Sequence, residues 1–378
     1  MRRQLAVACA TLTLLANGGL AAAQDKELPQ IPQALKPGQA CTASSGKKVP
    51  SPPWQLPYLG VDRLWPLTTG EGVTVAVVDT GVDAAALRVE VAGDGGTDCV
   101  GHGTVVASLI AAPAGEDGKI AGLAPGARVL AVRGTDKPGA ATAASIAAAL
   151  DRAVAAGARI ICVAVAVTEA DPALRQAVDR AVAAGALVVA AAGLDFTSAR
   201  DVPPGPYYPA AFPGVLPVTA IGPDGKPGGK ATPVPGSVAA PGNLVVGTGP
   251  GGGQVVGAGP AFAAAHVAAA AALIRSYRPE TTAADLARRL RDTAYPQAGV
   301  SVIDPLAAMT SVAAPGGGPA TAPREPVAVA PIPDLEPTRQ AALLLAAGVA
   351  LVAALLGAAA VVVPRGRRRG WRAGSRES

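Results

Sequence analysis

Four stretches of the chain read as buried strands, because apolar and largely β-branched residues run on without polar alternation: "GVTVAVVDTGV" (72–82), "ARVLAVRG" (127–134), "ARIICVAVAV" (158–167) and "ALVVAAAG" (186–193). Between them, "ATAASIAAALDRAVAAG" (141–157) and "DPALRQAVDRAVAAG" (171–185) set apolar residues three and four apart, and each closes on glycine, a common helix stop. Strand and helix in alternation predict βαβ units with right-handed crossovers. The expected fold class is therefore α/β, with a mostly parallel central sheet and helices on both faces.

The pattern changes at both ends of this body. Arg2 and Arg3 precede an uncharged stretch from Leu5 to Leu20 and then Ala21-Ala22-Ala23, which reads as a secretory signal over residues 1–23. Residues 24–56 are rich in proline and polar residues without periodicity, and are expected to form an extended arm. A body over 57–312 is followed by a proline- and glycine-rich linker at 313–340, too dense in both for a packed core. Ala341 to Val363 is an uncharged run long enough to span a bilayer as one helix. The tail 364–378 is basic. Its arginines at 365, 367, 368, 369, 372 and 376 account for the net charge of +5, so the body is near neutral and offers no basic face for nucleic acid. They also orient the helix, placing the tail inside the cell membrane and the body outside it.

An exported body can form disulfides. Signal removal takes away Cys9. Cys162 lies in an apolar run as a buried thiol, leaving Cys41 and Cys99, both among polar loop residues, as the expected pair. Asp79 closes its strand at the carboxyl edge of a parallel sheet, the edge where ligand and catalytic groups gather. His102, flanked by Gly101 and Gly103, opens a run of small apolar residues and projects from a helix start at that same edge. No group of acidic residues has a metal-binding spacing, so neither metal nor cofactor is expected.

These residues carry a resemblance. "VVDTGVD" and "GHGTVVASLIAA" are similar to the aspartate and histidine motifs of subtilisin-like serine proteases (peptidase S8). "GLAPGARVLAVR", the "AAG" of 191–193, the "APG" of 240–242 and "FAAAHVAAAAALI" follow in the family's order over about residues 57–312. The resemblance implies the subtilisin-like three-layer fold with Asp79 and His102 as triad members. The signal, the short cysteine-bearing arm, the cysteine ahead of the histidine motif, the linker and the single anchor most resemble the mycosins, membrane-anchored subtilases of type VII secretion systems. That likeness implies a type VII secretion membrane complex as partner, and a peptide in a vestigial groove as a further ligand.

Against the family pattern, Ala261 stands in the place of the nucleophilic serine. Pro260 replaces a threonine, Ala265 a proline, and Leu194 the asparagine that donates to the oxyanion, while His266 matches a helix residue outside the triad. Ser108 shares the helical run of His102, Ser237 and Thr248 lie in glycine- and proline-rich loops, and Cys99 is taken up by the expected disulfide, so none supplies a substitute nucleophile. The expectation is a pseudoprotease that serves as a membrane-anchored scaffold; the alternative is an active subtilisin-like endopeptidase. Position 261 separates the two.

Overall fold

The structure, a computed structural model, describes residues 28–114, 120–195, 205–228, 234–312 and 336–370. The expected signal (1–23), most of the linker (313–335) and the last residues of the tail (371–378) lie outside the described residues. In chain order the body comprises α1 (Gln55–Leu59), α2 (Val61–Leu64), β1 (Thr74–Asp79), β2 (Glu90–Ala92), α3 (His102–Ala111), β3 (Arg128–Arg133), α4 (Ala143–Ala155) and β4 (Ile160–Val163). It continues with α5 (Pro172–Ala183), β5 (Leu187–Ala191), β6 (Val215–Ile221), β7 (Val238–Pro241), β8 (Asn243–Thr248), β9 (Gln254–Ala258), α6 (Pro260–Tyr277), α7 (Ala283–Asp292), β10 (Tyr295–Gln297), β11 (Val300–Val302) and α8 (Pro305–Thr310).

Nine strands form one sheet in the order β10-β11-β7-β6-β5-β4-β1-β3-β2, parallel throughout except for the β10–β11 pair. The four apolar runs are β1, β3, β4 and β5, which occupy the middle and one flank of that order. Both faces are covered, so these strands have no polar side. Val75 and Val77 point into the core shared with α3 and α6, and Ala76 and Val78 into the core shared with α4 and α5. The result is the three-layer α/β arrangement expected from the alternation.

Local sequence explains the helices. Thr142 accepts from Ser145 N while Ser145 Oγ reaches back to the Thr142 N–H, a capping box that starts α4. Asp171 accepts from Leu174 N and Pro172 occupies the first turn of α5. Ile146, Ala149, Leu150 and Ala153 of α4, and Leu174, Ala177, Val178 and Ala181 of α5, are fully buried against the sheet. Truncating such a leucine to alanine costs about 2–5 kcal/mol, depending on how far the site collapses. Helix α6 differs: it is buried all round from Pro260 to Ile274, as a central helix must be, and its alanines let it lie close against β4 to β7 and α3.

The described part of the arm, from residue 28, is integrated into the body. Gln30 bridges Val256 in parallel, Ile31 is buried, and Thr42 N donates to Cys99 O at 2.9 Å. Cys41 and Cys99 are joined by a disulfide and Cys162 is free and buried, both as expected. A second unit of the chain holds α9 (Glu336–Arg368), which contains a 25-residue span, Leu344–Arg368, long and apolar enough to cross a membrane. The helix extends beyond the expected 341–363 at both ends and carries Arg365, Arg367 and Arg368 in its last turn.

Closing a loop over a sequence separation of 58 residues stabilises the folded body by about 4 kcal/mol in the chain-entropy account. Replacing Cys41 and Cys99 by serine in the full chain is therefore expected to lower the unfolding free energy of the detergent-solubilised protein by an amount of that order, and with it the urea midpoint. An unchanged midpoint would show that backbone bonds alone hold the arm.

Candidate active site

β1 ends at Asp79, and α3 begins at His102, capped by Gly101 in the left-handed region at φ 88°. The close approach of these two elements depends on Gly103, where a Cβ would lie 2.0 Å from Gly81 O and 2.9 Å from Asp79 Cβ. His102 Nδ1 sits 2.8 Å from Asp79 Oδ1 and 2.9 Å from Oδ2, and Thr80 N donates to Oδ1 at 2.6 Å. Both side chains are fully buried.

Asp98 builds the frame around this pair. It accepts from Thr80 Oγ1 (2.9 Å), Gly101 N (2.7 Å), Thr104 N (2.9 Å) and Thr104 Oγ1 (2.7 Å), so one carboxylate gathers the donors at the start of α3. Burial pushes its carboxyl up, and these bonds oppose the shift. Arg133, at the end of β3, donates to the Thr80 and Thr97 carbonyls and pairs with Asp94 at 2.9 Å. The loop that carries Cys99 is thereby held from both sides.

The other side of the imidazole holds a residue that sequence reasoning missed. Asp195 Oδ2 lies 2.6 Å from His102 Nε2, and Asp195 Oδ1 accepts from Ala261 N at 3.0 Å. Asp195 is 5% exposed and Ala261 1%, so the link is closed to solvent. Ala261 is the second residue of α6, after Pro260, which has no N–H, and the helix start directs the Ala261 N–H at this carboxylate. Gly259, with φ at 152°, makes room: a Cβ there would lie 2.0 Å from Asp195 Oδ1. The Phe262 ring, 4.9 Å from the His102 ring, closes the apolar side. The only trace in the sequence was a carboxylate one position beyond Leu194. Leu194 itself is half-buried, and the side chain that reaches Ala261 N is that of Asp195.

Burial disfavours a charged imidazole, yet the two flanking carboxylates outweigh it and hold His102 well above its ordinary range. Burial also raises Asp195, partly offset by its bonds from His102 and Ala261. Both shifts describe one tightly held proton in the 2.6 Å contact. His266 is the opposite case: burial lowers it to about 4, and its Nδ1 lies 2.8 Å from Pro241 O. It is a neutral core histidine outside the site. Ser108 Oγ donates to Val105 O and accepts from Thr248 N, a structural role that occupies both hydroxyl functions. Among the described residues, no group of three or more histidine, cysteine or acidic side chains could hold a metal.

Residues 70–315 match the model of the Subtilase family (Peptidase_S8). Mycosin-1 of Mycobacterium tuberculosis (strain ATCC 25618 / H37Rv) is 35% identical, over 80% of this chain and 84% of its own length. The solved structure of the serine protease MycP1, an essential component of the type VII (ESX-1) secretion system, is 30% identical with a TM-score of 0.63, covering 76% of this chain and all of that one. A chain in the intact ESX-5 inner membrane complex is 27% identical with a TM-score of 0.63, covering 89% of this chain and all of that one.

With two histidines in the chain, their titrations separate cleanly. The His102 proton is bound more tightly in the folded than in the unfolded state, where the value is 6.5. Its stabilisation is thus complete below pH 6.5 and is lost as pH rises through the raised folded value. For His266 the sign reverses, and stability is lost as pH falls from 6.5 towards about 4. Ring ¹⁵N spectra should show His102 still protonated at pH 6.5 and His266 neutral there, the latter titrating only near pH 4. Asp195→Asn should bring the His102 titration to lower pH.

Proposed function

The chain belongs to the subtilase family and is of mycosin type, and from that premise we propose that it is a catalytically silent, membrane-anchored component of a type VII secretion complex, with its body outside the cell membrane. The observation that carries this reading is the Asp195 carboxylate. It fills the space between His102 Nε2 and the Ala261 N–H, the two groups that would serve a nucleophile and a developing oxyanion.

Peptide-bond attack needs a nucleophile beside the base and donors aimed at the negative charge that develops. Here the nucleophile position is Ala261, which has no hydroxyl, and a donor at the helix start already serves an internal anion. Subtilisin, a member of the same family, sets the scale: there the loss of one oxyanion donor costs about 10²–10³ in turnover. Loss of its serine costs about as much as loss of the whole triad, because the members act as a unit. A fixed carboxylate goes further, since it repels the charge that the reaction must develop. The retained Asp79–His102 contact then joins elements of the body and activates nothing.

Anchoring is supported by α9 and by the arginines at its end, which favour a cytoplasmic tail. The secretion role is supported by the likeness to MycP1 and to a chain of the ESX-5 inner membrane complex. A tethered domain is held at high local concentration beside its neighbours without any added contact, which suits a brace. The occupied site gives a peptide in the groove no route to hydrolysis.

The purified full chain is expected neither to cleave peptides nor to take up a fluorophosphonate label, and deleting its gene is expected to destabilise the secretion complex in native membranes. Ala261→Ser alone should stay inactive because Asp195 still occupies the site. Covalent labelling of the unaltered chain, efficient hydrolysis by the single serine variant, or an intact complex after deletion would each overturn the corresponding part of the proposal.

A further inference from the structure

At the edge of the sheet opposite Asp79 and His102, where β1 and β3 begin, a cleft of about 390 Å³ is lined by three arginines. Arg128 opens β3 beside Thr74 of β1, Arg159 stands just before β4, and Arg275 lies in the last turn of α6. Glu71 also lines the cleft, but its carboxylate is engaged within its own turn by Thr68 and Thr69, whose hydroxyls and backbone N–H hold it down to about 2. Arg128 pairs with Glu90 at 3.3 Å, both groups being more than half exposed, so the contact is weak.

Arg275 is the group without an adequate counterpart. Its Nη2 donates to Thr281 O at 2.9 Å, while its Nε is buried and has no hydrogen-bond partner. Burial and the charge of Arg159 both act against its protonated form. Arg159 in turn has a backbone partner, Ala184 O at 2.5 Å, at the end of α5. Two neighbouring guanidinium groups, one of them partly buried, are a costly arrangement that an anion in the cleft offsets. With Glu71 and Glu90 counted, one positive charge stays uncompensated, which fits a monoanion. Three guanidinium groups arriving from three elements suit the several oxygens of a tetrahedral group better than the two of a planar carboxylate.

We propose that this cleft binds a singly charged phosphate group, either the phosphodiester of a lipid headgroup or free dihydrogen phosphate. The test is calorimetric titration of the full chain in non-ionic detergent at pH 6 with inorganic phosphate, with dihexanoyl phosphatidylglycerol and with acetate. Saturable phosphate binding is expected, weakened tenfold or more by Arg275→Gln and by Arg159→Gln. It should be unchanged by Arg180→Gln, which alters an exposed arginine paired with Asp151. A lipid that binds tighter than phosphate identifies the headgroup as the source, and one that binds no tighter identifies free phosphate. No saturable binding of either, binding undiminished in Arg159→Gln, or acetate equal to phosphate would overturn the proposal. Because Arg159 is exposed, its variant keeps the test decisive if Arg275→Gln fails to fold.

Discussion

The body is joined at its core by one buried line of polar contacts, from Asp79 through His102 and Asp195 to the backbone of Ala261. Those four groups come from the end of β1, the start of α3, the segment after β5 and the start of α6, so the line ties two strand ends to two helix starts. Each member is buried, which makes any break expensive: an isolated carboxylate or imidazolium left inside the protein loses its compensation and keeps its desolvation cost. Chemistry and architecture thus compete for the same atoms. In this chain the oxygen beside the imidazole belongs to Asp195, a part of the fold itself.

Much of the fold was legible because apolar period and helix stops are local signals. The runs at 72–82, 127–134, 158–167 and 186–193 became β1, β3, β4 and β5, and the two amphipathic stretches became α4 and α5. β6 and β7 carry weaker signals and escape such a reading. Pro217 interrupts the first, and alanine and proline dominate the second, so neither displays the β-branched run of an inner strand. The disulfide was legible for a similar reason, since of the four cysteines only Cys41 and Cys99 sit in polar surroundings.

The polar line itself was legible only in part. Asp79 and His102 announce themselves through motifs and flanking glycines, and Ala261 through what it lacks. Asp195 gave no such signal, because its role depends on two long-range contacts, with His102 and with Ala261, that no local pattern encodes. Asp98 was hidden likewise, because its bonds with Thr80 and Thr104 form only once the end of β1 meets the start of α3. Gly259 shows the missing information from the other side: its want of a side chain is explained only by the carboxylate that fills the space.

The bridge between Gln30 and Val256 also bears on the order in which the chain acquires its shape. Synthesis delivers the arm early, yet the strand it lies along, β9 of the separate β8–β9 pair, comes late in the body, so the arm waits for most of the body to be made. Contacts so distant along the chain form slowly, because loop closure must be met before they return anything. Cys99 arrives much sooner than Val256. A bond between Cys41 and Cys99 therefore parks the waiting arm beside its eventual groove, turning a long search into a short one.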